Sequence, residues 1–600
     1  MKNILNRIIC IICNTVLKNL PFFVIFSALL SFHVISGFLN DAMQHFSSNN
    51  FADSFGILVF NLSEVLACAF CLCLLFYFVK YSFLKYVMYA FAFLLFGINM
   101  YLRVCFGTLI SSSTLLLIAE TNKREMFEFF ETYLFNTSGI IIVISVLTIG
   151  VLIYWIETWY KKREIGLGGR LTQILLSIGI ILVIGLAIIE STLYVQNFKN
   201  QSFSQFEILL SQTQKYSRMD YCRRLINSLF LLKLAGEETD QAVALAGKAI
   251  DEADCIQKDD AITIVLVIGE SFIKSHASIY GYPLNTMPFV GEENAKGNVI
   301  AYQNAITTAL HTSMALRNFF SCNSVGDGER WSESSFFPAL FKAAGYDVYF
   351  WDNQYDYLNQ TDLDFALNAY IHHSDISRQV YSSYNKSSFR YDGDLVDDFE
   401  KSCLNELKMR NKNSLVMFHL MGQHFKSDKR YPHTADFCRF NSDSILRNND
   451  YLTPVRKEEI AQYDNSVLYN DYVIKKIVEI FIDRNSILIF FSDHGELIYD
   501  ISDVKGRTMK MEAMTFGERT HYYEIPLLFW FSEQFKSKEP ELVDVIEKCK
   551  DRNFMNDNLC QILFHIGNIH TRWYHSKRDV LSPDYQCPPR IIENSINYDE

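Results

Sequence analysis

Positive charge is the scarce sign in this 600-residue sequence: 55 Lys and Arg stand against 67 Asp and Glu, a formal charge of −12. A nucleic-acid partner calls for a basic face, so none is expected. Phosphate-bearing substrates stay open, because a bound metal supplies local positive charge. No internal repeat or low-complexity tract is present. No Cys-x-x-Cys pair comes with histidines at zinc-finger spacing; Cys10 with Cys13, and Cys68 with Cys71, lie in or beside apolar stretches. A cleaved signal peptide is the competing reading of the first apolar run, but no small-residue cleavage site follows it, which favours a membrane span.

Half of the residues are hydrophobic, and the excess lies before about residue 195. Five stretches are long and apolar enough to cross a hydrocarbon core of roughly 30 Å: Leu20–Leu39, Gly56–Val79, Val87–Leu102, Ser138–Ile156 and Leu171–Ile189. Lys2, Arg7 and Lys18 precede the first, Lys80 and Lys85 follow the second, and Lys161, Lys162, Arg163 and Arg170 separate the last two. The loop from Asn40 to Phe55 has no Lys or Arg, and the third loop carries Glu120, Glu125, Glu128 and Glu131. The positive-inside rule therefore places the N-terminus in the cytoplasm and everything after the fifth span outside. Within the third loop, Leu115–Phe130 has the pattern of an amphipathic helix lying at the outer membrane boundary. Of 14 cysteines, Cys222, Cys255, Cys322, Cys403, Cys438, Cys549, Cys560 and Cys587 face the oxidising side, at spacings that prescribe no pairing.

Three parts follow: a transmembrane domain over 1–195 with an interfacial helix near 106–137, a helical bridge over 196–260, and an outer domain over 261–600. The bridge includes alanines at helical spacing over Ala242–Ala253. Beyond it, short β-branched and aromatic runs alternate with helical stretches such as Glu458–Phe481. The runs Ala261–Gly269, Val348–Trp351, Ser414–Leu420, Ser486–Phe491 and Ile525–Trp530 read as buried strands. Such alternation implies an α/β domain with a mostly parallel sheet covered on both faces. Ligands of such sheets gather beyond the carboxyl ends of the strands. Two strands end in metal-ligand chemistry: Glu270 follows the first, and Asp493-His494-Gly495-Glu496 follows Ser486–Phe491 with one serine between. Either alone is ordinary turn chemistry. Together, two carboxylates and an imidazole suit zinc and leave a coordination position open.

The segment Gly269–Pro288 (GESFIKSHASIYGYPLNTMP) resembles the opening catalytic motif of bacterial phosphoethanolamine transferases, membrane-anchored members of the sulfatase and alkaline phosphatase superfamily. The resemblance continues at Thr307–Ser313 (TTALHTS), Phe418–His424 (FHLMGQH), Tyr463–Asn465 with Tyr469 and Asp471, Ser492–Glu496 (SDHGE) and Leu581–Tyr585 (LSPDY). It implies a sulfatase-like outer domain with Thr312 as nucleophile, and zinc held by Glu270, Thr312, Asp493 and His494; a second zinc stays open. Thr307 and Thr308 are alternative matches for the nucleophile. The resemblance also implies substrate-binding roles for His424 and His521, although a loop or surface histidine is an equal reading of His521. Asp464 and Asn465 read equally as structural. Thr121 and Glu125, four apart and so on one helix face, match the segment that holds the donor headgroup, whose ammonium suits Glu125.

The implied reaction moves phosphoethanolamine from phosphatidylethanolamine to lipopolysaccharide or another envelope glycan, in the inner membrane, with the catalytic domain periplasmic. Two departures from the lipid A-modifying branch, Leu117 in place of Asn and Leu310-His311 in place of Cys-Gly, leave the acceptor open. A sulfatase would need a CxPxR-type motif, and none lies near Thr312. A glycerophosphoryl transferase of the same superfamily and an inactive lipid- or glycan-binding scaffold are the alternatives.

Overall fold

The computed structural model describes residues 2–44, 50–79, 82–106, 109–111, 114–115, 135, 137–163, 169–198, 219–249, 252–255, 261–355, 370–507 and 514–600. The chain divides into two compact units, residues 1–235 and 236–600.

The first unit is helical. Helix α1 (Lys2–Lys18) precedes α2 (Leu20–Gln44), α3 (Asn50–Phe78), α4 (Ser82–Phe106), α5 (Thr137–Lys161) and α6 (Arg170–Phe198). The last five are each long and apolar enough to cross a membrane. The third expected span, short when read from sequence, is a full 25-residue helix, with Arg103 inside its last turn. Charge enters this bundle in pairs. Lys85 Nζ lies 2.8 Å from Glu157 Oε1, and the Tyr89 hydroxyl donates to the same carboxylate at 2.6 Å. An unpaired charge in such a bundle is costly, so this set joins α4 to α5. Helix α7 (Tyr221–Ala246) begins in this unit, with Asp220 Oδ1 accepting from the N–H groups of Cys222 at 2.9 Å and Arg223 at 3.1 Å. Arg223 pairs with Glu64 of α3 and stands 3.9 Å from Glu190 of α6.

The expected helix through Ala253 stops at Ala246. Ala253–Cys255 is a strand instead, paired antiparallel with Ile569–Thr571. Backbone pairing with a distant segment has overridden the local alanine pattern. Residues 199–218 of the expected bridge, and Thr121 and Glu125 of the expected interfacial helix, lie outside the described residues.

The second unit is built on a seven-stranded sheet: β1 (Thr263–Gly269), β2 (Val299–Ala301), β3 (Asp347–Asp352), β4 (Ser383–Tyr384), β5 (Ser414–His419), β6 (Ser486–Ser492) and β7 (Leu527–Phe531), in the order β2-β7-β6-β1-β5-β3-β4. Strands β6, β1, β5, β3 and β4 are parallel, and β7 and β2 close one edge antiparallel. The central strand β1 reads TIVLVIG and is buried throughout. Alternation splits it between two cores. Ile264, Leu266 and Ile268 join Leu316 and Phe319 of α9 (Thr312–Phe320) on one face. Val265 and Val267 join Phe399 of α10 (Asp392–Arg410) and Ile474 of α11 (Pro454–Phe481) on the other, a layer that also takes Val290 of α8 (Pro288–Ala295). Helix α12 (Phe516–Tyr523) precedes β7 and carries a Thr515–Glu518 capping box at its start.

Register sets what meets at the carboxyl ends. Gly269 is opposite Ser492 in β6, and Ile268 is opposite His419 in β5. The residues that follow, Glu270 and Asp493, leave the sheet side by side.

Candidate functional site

Glu270, Asp493 and His494 are buried, and one ligand atom of each lies within 4.8 Å of the others. The backbone makes an unusual turn to achieve this. Ser271 has φ of 54°, in the left-handed region, and its N–H donates to Asp493 Oδ1 at 3.0 Å. Its hydroxyl donates to Glu270 Oε1 at 2.7 Å. Asp493 Oδ1 also accepts from His494 N–H at 2.7 Å, while its Oδ2 is buried with no hydrogen-bond partner and lies 3.2 Å from His494 Nε2. His494 Nδ1 donates to the Gly495 carbonyl at 3.0 Å, which leaves the Nε2 lone pair facing the carboxylates. Thr312, the first residue of α9, donates its hydroxyl to Glu270 Oε2 at 2.9 Å and stands 3.4 Å from His494 Nε2. Thr307 and Thr308 are engaged elsewhere, accepting from Asn556 and Asn318 at 3.2 Å each. Of the three threonines, Thr312 is the one turned to Glu270.

The electrostatics fit a bound cation. Two carboxylates share a buried site, and burial together with the facing Glu270 pushes Asp493 well above the usual carboxylate range. Burial, with help from Arg507, lowers His494 to about 3, so the imidazole is a neutral donor. The Arg507 guanidinium lies 2.8 Å from His494 Nε2, and its other bond goes to the Leu310 carbonyl, also at 2.8 Å. An orphaned carboxylate oxygen, a neutral imidazole whose Nε2 accepts from Arg507, and a neighbouring hydroxyl are donors that suit zinc.

Around this centre the strand-end loops close tightly. Gly422 has φ of 50°, and a Cβ there would lie 2.8 Å from the backbone of Glu270. Gln423 N–H donates to the Glu270 carbonyl at 3.0 Å, which sets the loop bearing His424 directly on Glu270. Gly495 is pinned from the other side: its N–H donates to the Tyr522 carbonyl at 2.8 Å, and a Cβ would sit 2.1 Å from the His521 carbonyl oxygen. His521 therefore borders the site through its backbone, while its Nδ1 donates back to Gly517 within α12 at 2.8 Å. Asn465 Oδ1 accepts from the N–H groups of Arg439 and Phe440, a structural use.

Two groups at the site carry no expectation from the sequence. Gln354 donates to Glu270 Oε2 at 3.2 Å and to the Leu420 carbonyl at 2.8 Å. It follows β3, so the strand-end rule applied to that strand would have found it. Arg507 follows no strand of the main sheet and had no such signal. Behind Gln354, Asp352 joins His372 at 2.7 Å and His419 at 3.0 Å.

Glu593 braces the turn that leads into Thr312 from outside. Glu593 Oε1 accepts from Leu310 N–H at 2.8 Å and from the Tyr523 hydroxyl at 3.0 Å, and Glu593 N–H donates to the Thr308 carbonyl at 2.9 Å.

A parallel sheet with paired carboxylates, histidine and threonine at its carboxyl ends defines a sulfatase-superfamily domain, and residues 262–551 match the sulfatase family. Over 505 residues the chain is 25% identical to the phosphoethanolamine transferase EptC of Escherichia coli O18:K1:H7, covering 82% of this chain and 81% of that one. The crystal structure of the C-terminal periplasmic domain of E. coli EptC aligns with 58% of this chain and 95% of its own, at 26% identity and a TM-score of 0.50. The integral membrane lipooligosaccharide phosphoethanolamine transferase A of Neisseria meningitidis shares the fold over 94% of this chain and 97% of its own, with TM-score 0.59 and 16% identity. The chain thus carries a sulfatase domain over residues 262–551, and the relatives it resembles along most of its length are phosphoethanolamine transferases.

Proposed function

We propose that this protein transfers phosphoethanolamine from phosphatidylethanolamine to lipopolysaccharide or another envelope glycan, with Thr312 as the nucleophile. The observation that carries the reading is the convergence of Thr312 Oγ1 on Glu270 Oε2, at 2.9 Å, beside Asp493 and His494. Glu270, Asp493, His494 and Thr312 would hold a zinc ion. When bound, zinc stabilises negative charge on the threonine oxygen and on the phosphoryl group.

The chain's own groups supply orientation. Glu270 Oε2 holds the Thr312 hydroxyl proton and so fixes where the oxygen lone pairs point. Thr312 begins α9, and a helix N-terminus favours the phosphate of an incoming headgroup. In the first step Thr312 Oγ1 bonds to phosphorus, the bond to the glycerol oxygen breaks, and diacylglycerol leaves with the proton. In the second, an acceptor oxygen displaces Thr312 and the hydroxyl is restored. His424, on the loop over Glu270, and His521 are assigned to the substrate phosphate. Thr121 and Glu125 are assigned to the donor's ammonium group. The family's membrane plan and the charge distribution of the loops support an inner-membrane location with the catalytic unit outside.

The test is direct. Thr312→Ala should reduce transfer at least ~100-fold while the protein still folds and inserts. Wild type incubated with phosphatidylethanolamine should yield a Thr312 peptide heavier by one phosphoethanolamine, and chelation should stop the labelling until zinc is restored. An active Thr312→Ala protein, or the label on another residue, overturns the assignment.

A further inference from the structure

His276 lies six residues beyond Glu270, 1% exposed, and both of its ring nitrogens meet carboxylates. Nδ1 is 2.6 Å from Asp464 Oδ1 and Nε2 is 2.8 Å from Asp500 Oδ1. Two such bonds to acceptor-only groups require both nitrogens to carry hydrogen, which makes the ring an imidazolium. Burial works against that charge, but Asp500 and Asp464 outweigh it and hold His276 up at about 9. The surroundings are organised for the same charge state. The Tyr282 hydroxyl donates to Asp464 Oδ2 at 2.8 Å and its ring stacks on His276 at 4.5 Å, while Arg447 donates to Asp500 Oδ1 at 2.8 Å.

The two carboxylates belong to different parts of the chain. Asp464 is on α11, next to Tyr463, whose hydroxyl accepts from Ile273 N–H and donates to the Ser271 carbonyl, both at 2.7 Å. Those two bonds bracket the left-handed turn that aims Glu270. Asp500 ends the short loop that leaves Asp493 and His494, and its Oδ2 accepts from Ile498 N–H at 3.0 Å. His276 is thus the junction between the turn that presents Glu270 and the loop that presents Asp493 and His494. It touches none of the three ligands.

We infer that His276 is a positioning residue for the metal centre: wedged between Asp464 and Asp500, it clamps the loop that follows β6 onto the segment that follows β1, so that Glu270, Asp493 and His494 stay within reach of one ion. The inference rests on the reading of those three residues as metal ligands. Its role is electrostatic as well as steric. Removing the cation leaves two buried carboxylates facing a neutral group, and the loops part to hydrate them.

The experiment is a double-substitution cycle on full-length protein in detergent, read by competitive zinc titration with a chromogenic chelator and by kcat and KM for the lipid donor. His276→Gln keeps one hydrogen bond and loses the charge; the zinc Kd should rise about ten- to hundred-fold, with kcat falling and KM unchanged. Asp500→Asn alone should also weaken zinc. Added to His276→Gln, however, Asp500→Asn removes one of the two buried carboxylates that have lost their imidazolium and should recover part of the loss, a reversal of sign that side-chain bulk does not produce. Wild-type zinc affinity in His276→Gln, or further weakening in the double variant, overturns the inference while leaving the metal reading intact. If His276→Gln does not fold, Asp500→Asn decides alone, and unchanged zinc affinity there also overturns it. Wild-type protein that takes up no zinc removes the metal reading and this inference with it.

Discussion

Gly495 has no side chain to contribute, yet it holds the ligand loop to its tightest tolerance. Its Cα faces the His521 carbonyl so closely that a methyl group would sit 2.1 Å from the oxygen. The obstacle is backbone, and it cannot rotate away. Gly495→Ala should therefore displace His494 and cost about 1–3 kcal/mol through overpacking; loss of zinc uptake with a lowered melting temperature is the expected pair of readings. Unaltered zinc binding would mean that α12 yields freely. At this scale the clustered residues were legible for a physical reason: in a parallel sheet the carboxyl ends point the same way, so Glu270 and Asp493 could be set together from their strands alone. Gln354 obeys the same rule. Arg507 and the clamp on His276 do not, since hydrogen bonds between side chains distant in sequence leave no periodic trace.

Val299–Ala301 and Ser383–Tyr384 are too short to show a pattern; the other five of the seven strands were readable as elements because each is a short apolar run bounded by polar residues. Their directions were less so. Residues 525–530 read as one more buried strand, and the observed Leu527–Phe531 runs antiparallel to its neighbour β6; nothing in an apolar run states its direction. Ala253–Cys255 went unread for the opposite reason, three residues being too few for any pattern. The central strand bears the largest share of the sheet. Leu266 is fully buried between β5 and β6, on the face packed by α9. Leu266→Ala should destabilise the catalytic unit by about 3 kcal/mol, the middle of the range for a buried leucine, measured by denaturant unfolding followed through tryptophan fluorescence. A cost below about 1 kcal/mol would place the cavity in a region able to collapse.

For the whole molecule, orientation in the membrane is the property on which the proposed reaction depends, because donor headgroup and catalytic site must share one side. Cys10 in α1 and Cys438 in the catalytic unit are both exposed, and the loop charges put them on opposite sides. In single-cysteine variants, a membrane-impermeant maleimide should label Cys438 in intact spheroplasts and reach Cys10 only after permeabilisation. The reverse pattern would place the site in the cytoplasm.

The bracing of Leu310, Thr308 and Tyr523 by Glu593 also sets an order of events. A chain exported from its N-terminal side presents Thr312 long before Glu593 follows. During that interval Asp493 and His494 are absent at first, and the wall behind the nucleophile arrives later still. Until then its hydroxyl is chemically no different from that of any serine or threonine in a loop. Completing the site therefore waits for the segment that carries Glu593, long after Thr312 has been made.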